Sequence, residues 1–160
     1  MNMENNYVKL SDTLSAQEGN VYITIAGQNR PLFEVVKISA SVEKDVKEKK
    51  MLGNRVTQHK IIGASISGSV TLALMNGDLL KATVAYLKTG VYPSITIQLK
   101  NLDQASTVGT RQAALTGVIF KTELISMLDS DSDDIVTYDT DFTADGIELL
   151  NDFVMPANYR

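Results

Sequence analysis

The chain has 160 residues, 44% of them hydrophobic and 21% charged, which supports one domain with a core and argues against wholesale disorder. Fifteen Lys and Arg against 19 Asp and Glu leave a net charge of −4, the wrong balance for a general nucleic-acid binder. With no cysteine and a single histidine, His59, disulfides, thiolate chemistry and an imidazole pair for a metal are all excluded.

The first twenty residues contain no apolar run of the kind a secretory leader needs. Val21–Ala26 is rich in β-branched and aromatic residues and stops at Gly27, which predicts a strand and a turn. Ile38, Ala40 and Val42 then alternate with Ser39, Ser41 and Glu43, a strand with one apolar and one wet face. The segment from Glu43 to Lys60 keeps neither the helical nor the strand period and is long for a compact loop, a length usually tied to function or disorder. Alternation resumes sharply: Ile62, Ala64, Ile66, Gly68, Val70, Leu72 and Leu74 lie on one side, and Gly63, Ser65, Ser67, Ser69, Thr71 and Ala73 on the other. Two long strands around the 43–60 segment predict an extended hairpin whose tip projects. The charge-free run from Ile61 to Gly77 has this period of two, so no membrane segment is expected.

A helix is predicted over about 77–89. Asn76 or Asp78 can cap it, Leu80, Val84 and Leu87 share a face, and Lys88 and Gly90 suit its end before Pro93. Ile95, Ile97 and Leu99 give a further strand, 101–112 reads as a polar loop, and Thr116, Val118 and Phe120 share one face of the next strand. Leu124–Leu128 reads as strand or turn and Asp129–Asp134 as an acidic turn. Val136, Tyr138, Thr140 and Phe142 alternate with Thr137, Asp139, Asp141 and Thr143. The sum is six or seven strands and one helix: a mainly β chain, a sandwich or partly open barrel with the helix on its side, spanning 1–160 as a single domain.

Charge is uneven along this chain. Seven basic and three acidic residues fall between Lys37 and Lys60, whereas 122–160 holds ten acids and one base. Such asymmetry fits either association between copies or two solvated faces.

Several chemical motifs fail on inspection. Gly63–Gly68 has the spacing of a phosphate loop, but Ser69 stands where lysine is needed and the segment reads as strand. Asp129, Asp131 and Asp133 open like a calcium loop, but Asp134 replaces the turn glycine and Thr140 the final glutamate. No G-x-S-x-G is present, and His59 sits among polar residues that cannot exclude water. Asp139 and Asp141 share a strand face, with nothing apolar nearby to raise either pKa. No catalytic residue, metal or cofactor is therefore expected, and no enzyme.

Three ordered motifs carry a resemblance. The first is Ser15-Ala-Gln-Glu-Gly19 followed by Val21-Tyr22-Ile23. The second is Gly53-Asn-Arg55-Val-Thr57-Gln-His59-Lys60-Ile-Ile-Gly63-Ala64-Ser-Ile-Ser-Gly68, and the third is Lys88-Thr-Gly90 with Pro93 and Thr96. In order and spacing they resemble the XkdM-like tail tube proteins of phages and defective prophages. The likeness covers about residues 10–122 and weakens from Asp129, with Asp152-Phe153 and Pro156 similar to the family's ending. It implies two antiparallel sheets flanked by a helix. It also implies a homohexameric ring whose sheets join into one β-barrel, with rings stacked into a hollow tube that DNA traverses without specific binding. The implied partners are further copies and sheath, baseplate and terminator proteins of a contractile tail. The implied place is a virion tail or prophage-derived particle assembled in the bacterial cytoplasm.

Within that frame, Lys44, Lys47, Lys49, Lys50, Arg55, His59 and Lys60 are expected at contacts between rings or subunits, with Met51 and Leu52 as apolar anchors. Ser65, Ser67, Ser69 and Thr71, small and uncharged, are expected to line the lumen with Asp139 and Asp141, whose charge repels phosphates. The alternatives are a related ring-forming terminator or baseplate protein and a small-molecule-binding β-barrel. Ten aromatic residues and no tryptophan make the last less attractive.

Overall fold

In the computed structural model, residues 8–32 and 34–159 are described. Residues 1–7, which begin the stretch read as leader-free, lie outside them, as do Phe33 and Arg160. Among the described residues the elements are β1 (Gly19–Ile25), β2 (Gln28–Pro31), β3 (Val35–Lys49), β4 (Gln58–Ala73), α1 (Asp78–Thr89), β5 (Ile95–Leu102), β6 (Thr110–Thr116), β7 (Ile119–Phe120), β8 (Thr137–Ala144) and β9 (Gly146–Asn151). They form two antiparallel sheets, ordered β2-β1-β5-β6-β9 and β3-β4-β8-β7, and neither closes on itself. The mainly β class with one helix is the one expected. The chain divides into two compact units, one around each sheet.

In the first unit, β1 and β2 are joined through Ala26 and Gly27, with Ile25 opposite Gln28. Pairing of β1 with β5 sets Ile23 against Ile97 and Ile25 against Ile95, and β6 adds Leu115 opposite Ile97. Ile23, Ile95, Ile97 and Leu115 are fully or almost fully buried, each contributing roughly 1.5–3 kcal/mol of hydrophobic free energy. Asp12 is buried too, but its Oδ1 accepts the Thr107 hydroxyl at 2.7 Å, so the 103–109 loop is tied down without an unmet acceptor. Arg111 Nε donates to Asp152 Oδ1 at 2.8 Å and the guanidinium lies over the Phe153 ring, which anchors the chain beyond β9. That hydrogen bond, with the Phe153 N–H, holds the Asp152 carboxyl below the usual range.

Several elements differ from the sequence reading. The predicted 101–112 loop is only 103–109, because Arg111 and Gln112 pair with Asn101 and Lys100 in β6. The expected single strand through Thr116, Val118 and Phe120 is two: Gly117 takes φ +64, ending β6 in one sheet before β7 opens in the other. Leu124–Leu128 forms no strand. β2 and β9 had no sequence signal, the former being four residues ending in proline and the latter lacking alternation.

In the second unit, Val70, Leu72 and Phe142 fill the buried face of the sheet, with the Phe120 and Phe142 rings 5.8 Å apart. Phe142 lies opposite Gly68 and covers it. A Cβ there would come 2.2 Å from the Ser39 carbonyl oxygen and 2.5 Å from Phe142 Cζ. Gly63–Gly68 is wholly within β4, as the alternation required.

The helix runs Asp78–Thr89, with the Asp78 N–H bonded to Asn76 Oδ1 at 2.8 Å and Gly90 in the left-handed C-cap conformation. Its buried residues are Leu79 and Ala82. The predicted Leu80–Val84–Leu87 face is not the buried one, since Leu87 is 75% exposed. The buried side is the one that carries Leu79 and Ala82, and that choice is tertiary.

Candidate assembly surfaces

β4 pairs with β8 only from Ile66 to Ala73, so Gln58–Ser65 pairs with β3 alone. The result is a two-stranded arm ending in an exposed tip, residues 50–57. Isolated two-stranded hairpins are marginal in water. The strands therefore run well into the segment that read as aperiodic. The reason is a bulge: Asp45 pairs with Gly63 and Val46 with Ile61, leaving Ile62 unopposed. The slip resets the phase, so Val42, Val46, Ile61 and Ile66 share one face, all but Ile66 about half exposed. Glu43, Asp45, Lys47, Lys49 and Lys60 occupy the other.

All nine expected contact residues lie on this arm, though not on one face. Lys47, Lys49 and Lys60 are on its charged face, and Lys44 and His59 on its apolar face, where His59 Nε2 lies 3.4 Å from Glu48 Oε1. Lys50, Met51, Leu52 and Arg55 are in the tip, where Leu52 is fully exposed. Val42, Val46, Val56 and Ile61 were missed as surface-forming residues. Their β-branched chains among lysines were the available signal, hidden by the bulge.

The expected lumen residues come together. Ser65, Ser67, Ser69 and Thr71 stand on one face of β4, opposite Glu43, Ser41, Ser39 and Lys37 on β3. Across β8, Asp141 faces Ser69 and Asp139 faces Thr71, whose hydroxyl donates to Asp139 Oδ1 at 2.5 Å. Ser39 and Ser69 hydroxyls are 3.3 Å apart. Lys37 and Lys121 border this face beside Glu43, Asp139 and Asp141, so the acids are largely offset and the surface is hydroxyl-rich and only weakly acidic.

A third feature lies beside the start of α1, a cavity of about 260 Å³ walled by Leu74, Met75, Leu80 and Ile125 with Glu123 and Tyr138. Burial raises the Glu123 pKa. Thr83 hydrogen-bonds the carboxylate, yet Oε1 is buried without a partner. Burial, then Glu123, raises the Tyr92 and Tyr138 hydroxyls, and Tyr138 also feels Glu34. The Tyr92 hydroxyl is buried with no acceptor for its proton. Leaving such groups unmet typically costs about 1–3 kcal/mol each.

Residues 6–151 match the model of a family described as phage tail tube protein. The chain belongs to that family. It is 30% identical over 126 residues to the phage-like element PBSX protein XkdM of Bacillus subtilis strain 168, covering 79% of this chain and 83% of that one. Its fold is similar to a chain of the anti-feeding prophage baseplate, determined with six-fold symmetry (TM-score 0.60, 14% identity, 86% of this chain and 95% of that). It is also similar to a chain of the extended sheath–tube complex of the PVC extracellular contractile injection system (TM-score 0.59, 14% identity, 93% and 97%). The protein is thus an XkdM-like structural subunit of a phage tail tube, and its place is the tail.

For a tail tube subunit, Glu123 has a measurable signature. Its folded-state pKa lies above its unfolded value, so between the two the folded chain binds more protons and stability falls as pH rises; above both, the cost persists in full. Glu123→Gln keeps the shape and removes the charge. The variant should melt roughly 1–2 °C above the native subunit at pH 7.5, a small gain because the site is partly solvated, and the gap should close near pH 4.5. Equal melting temperatures at both pH values would contradict this.

Proposed function

We propose that this tail tube subunit forms homohexameric rings, that the rings stack into a hollow tube, and that DNA passes through the tube without specific binding. The observation that carries this is the four-stranded sheet. Its outer strand β3 presents a 15-residue edge with no partner strand among the described residues. Such an edge invites pairing with another chain. Closure of a ring would pair it and remove the liability. The hydroxyl-rich, weakly acidic face is suited to line the channel, since it offers passing phosphates neither a strong attraction nor an apolar surface. The six-fold symmetry of the similar baseplate structure supports the ring order. The exposed arm, with its cations and apolar side chains, is assigned to contacts between rings, where charge pairs set register more than affinity.

Sheath, baseplate and terminator proteins are the proposed partners, and assembly takes place in the host cytoplasm. The role uses no catalytic residue, cofactor or metal.

Negative-stain electron microscopy across a concentration series tests the reading. Hollow tubes of stacked rings are expected at high concentration, shortening into single rings as salt rises from about 0.05 to 1 M, where the screening length falls to about 3 Å. Single rings at every concentration would indicate a terminator or baseplate role. Monomers throughout, even with a preformed tube end added as initiator, would remove the tube reading. Tubes indifferent to salt would remove the charge pairing.

A further inference from the structure

The cavity beside α1 has the chemistry of a socket for a long side chain with a cationic head. Leu74, Met75, Leu80 and Ile125 offer apolar walls to a methylene stem, and the half-buried Glu123 lines the polar end with Tyr138. No lysine or arginine is among the residues that line it. The surrounding segment 122–134 holds five acids and no base, and its apolar side chains face outward, with Ile125 79% and Leu128 93% exposed. The arm tip is its complement. Residues 50–57 contain Lys50 and Arg55, no acid, and the exposed apolar Met51, Leu52 and Val56. The arm beyond the four-stranded sheet, Gln58–Ser65, extends roughly 26 Å at ~3.3 Å per residue, enough to leave its own subunit.

We infer that this cavity receives the arm tip of a second copy of the chain, with Lys50 or Arg55 seated against Glu123 and Leu52 packed on Ile125. The pairing sets a cation of the tip against the half-buried Glu123 carboxylate and the acidic 122–134 segment, and it covers apolar surface on both copies. It rests on the reading of the arm as the inter-ring contact and names the surface that receives it.

The absence of cysteine makes the test clean. Leu52→Cys and Ile125→Cys are placed in separate, differently tagged chains, mixed, assembled and oxidised. The expected product is a covalent heterodimer carrying both tags, formed in tubes and absent from unassembled protein. Glu123→Gln, the shape-preserving variant, should need a roughly tenfold higher concentration to form tubes, because a charge-assisted contact is lost. Tubes that yield no heterodimer, or Glu123→Gln tubes that form at the native concentration, would overturn the socket. If either cysteine variant fails to assemble, the Glu123→Gln series decides. Removal of residues 46–55 separates the two levels. Loss of tubes on deletion with no effect of Glu123→Gln leaves the arm's role standing and removes the socket, whereas normal tubes on deletion remove the arm's role itself.

Discussion

Deletion of Val46–Arg55 should yield a folded subunit that no longer stacks. None of the ten residues is buried, and the deleted stretch belongs to the part of the hairpin that pairs only with itself. Removing it takes away none of the side chains of either core, so unfolding stability should change by less than about 0.5 kcal/mol, the scale of surface changes. Assembly should change far more, because the deletion removes Lys47, Lys49, Lys50 and Arg55 together with Val46, Met51 and Leu52. Circular dichroism melting and electron microscopy on the same sample read the two effects separately. Long tubes from the deleted chain would refute the arm's part in stacking, and a large fall in melting temperature would show that the arm supports the fold.

Replacing Gly68 should be strongly damaging to the second unit. Even alanine would place its Cβ 2.2 Å from the Ser39 carbonyl oxygen and 2.5 Å from Phe142 Cζ. Neither can give easily. The carbonyl belongs to the neighbouring strand of the ladder, and Phe142 is fully buried. Overpacking of this kind typically costs about 1–3 kcal/mol, and two rigid neighbours put Gly68→Ala at or above ~3 kcal/mol. At roughly 2–4 °C per kcal/mol for a chain of this size, the melting temperature should fall by about 6–12 °C. Ser67→Ala and Ser69→Ala, one residue to either side and pointing to the wet face, should stay within about 0.5 kcal/mol. Gly68→Ala stability equal to that of the serine variants would show that Phe142 does not press on the strand.

The two predictions concern different stretches of one strand pair, β3 and β4, that differ in legibility. From Gly63 to Ala73 each residue's side of the sheet was readable, because a half-buried strand must alternate and both faces obeyed. From Glu43 to Lys60 the same strand pair was unreadable as strand. Both faces are wet there, which erases the hydrophobic contrast, and the slip at Ile62 breaks the phase between Val46 and Ile61. The shared face of Ser65, Ser67, Ser69 and Thr71 was legible because it lies in the readable part. The proposed contact residues were chosen by charge and by family likeness, and their division between two faces of the arm was not legible.

Local chemistry is what the chain of amino acids states outright. The helix boundaries follow from Asn76, Gly90 and Pro93, the β4 and β8 faces from alternation, and the tail tube family from ordered motifs. All are short-range patterns that need no knowledge of what packs where. Long-range placement settled the rest. Polar Arg111 and Gln112 became strand because β5 was there to pair with them. Gly117 divided an apparent strand between two sheets because each half found a different neighbour. Leu79 and Ala82 rather than the Leu80–Val84–Leu87 row became the buried side of the helix, because which side is covered depends on the neighbours and not on the spacing. Glu123, undistinguished in the sequence, acquired a buried and unmet oxygen only when Leu124, Ile125 and the start of α1 closed around it, since burial and desolvation are properties of neighbours and not of the residue itself.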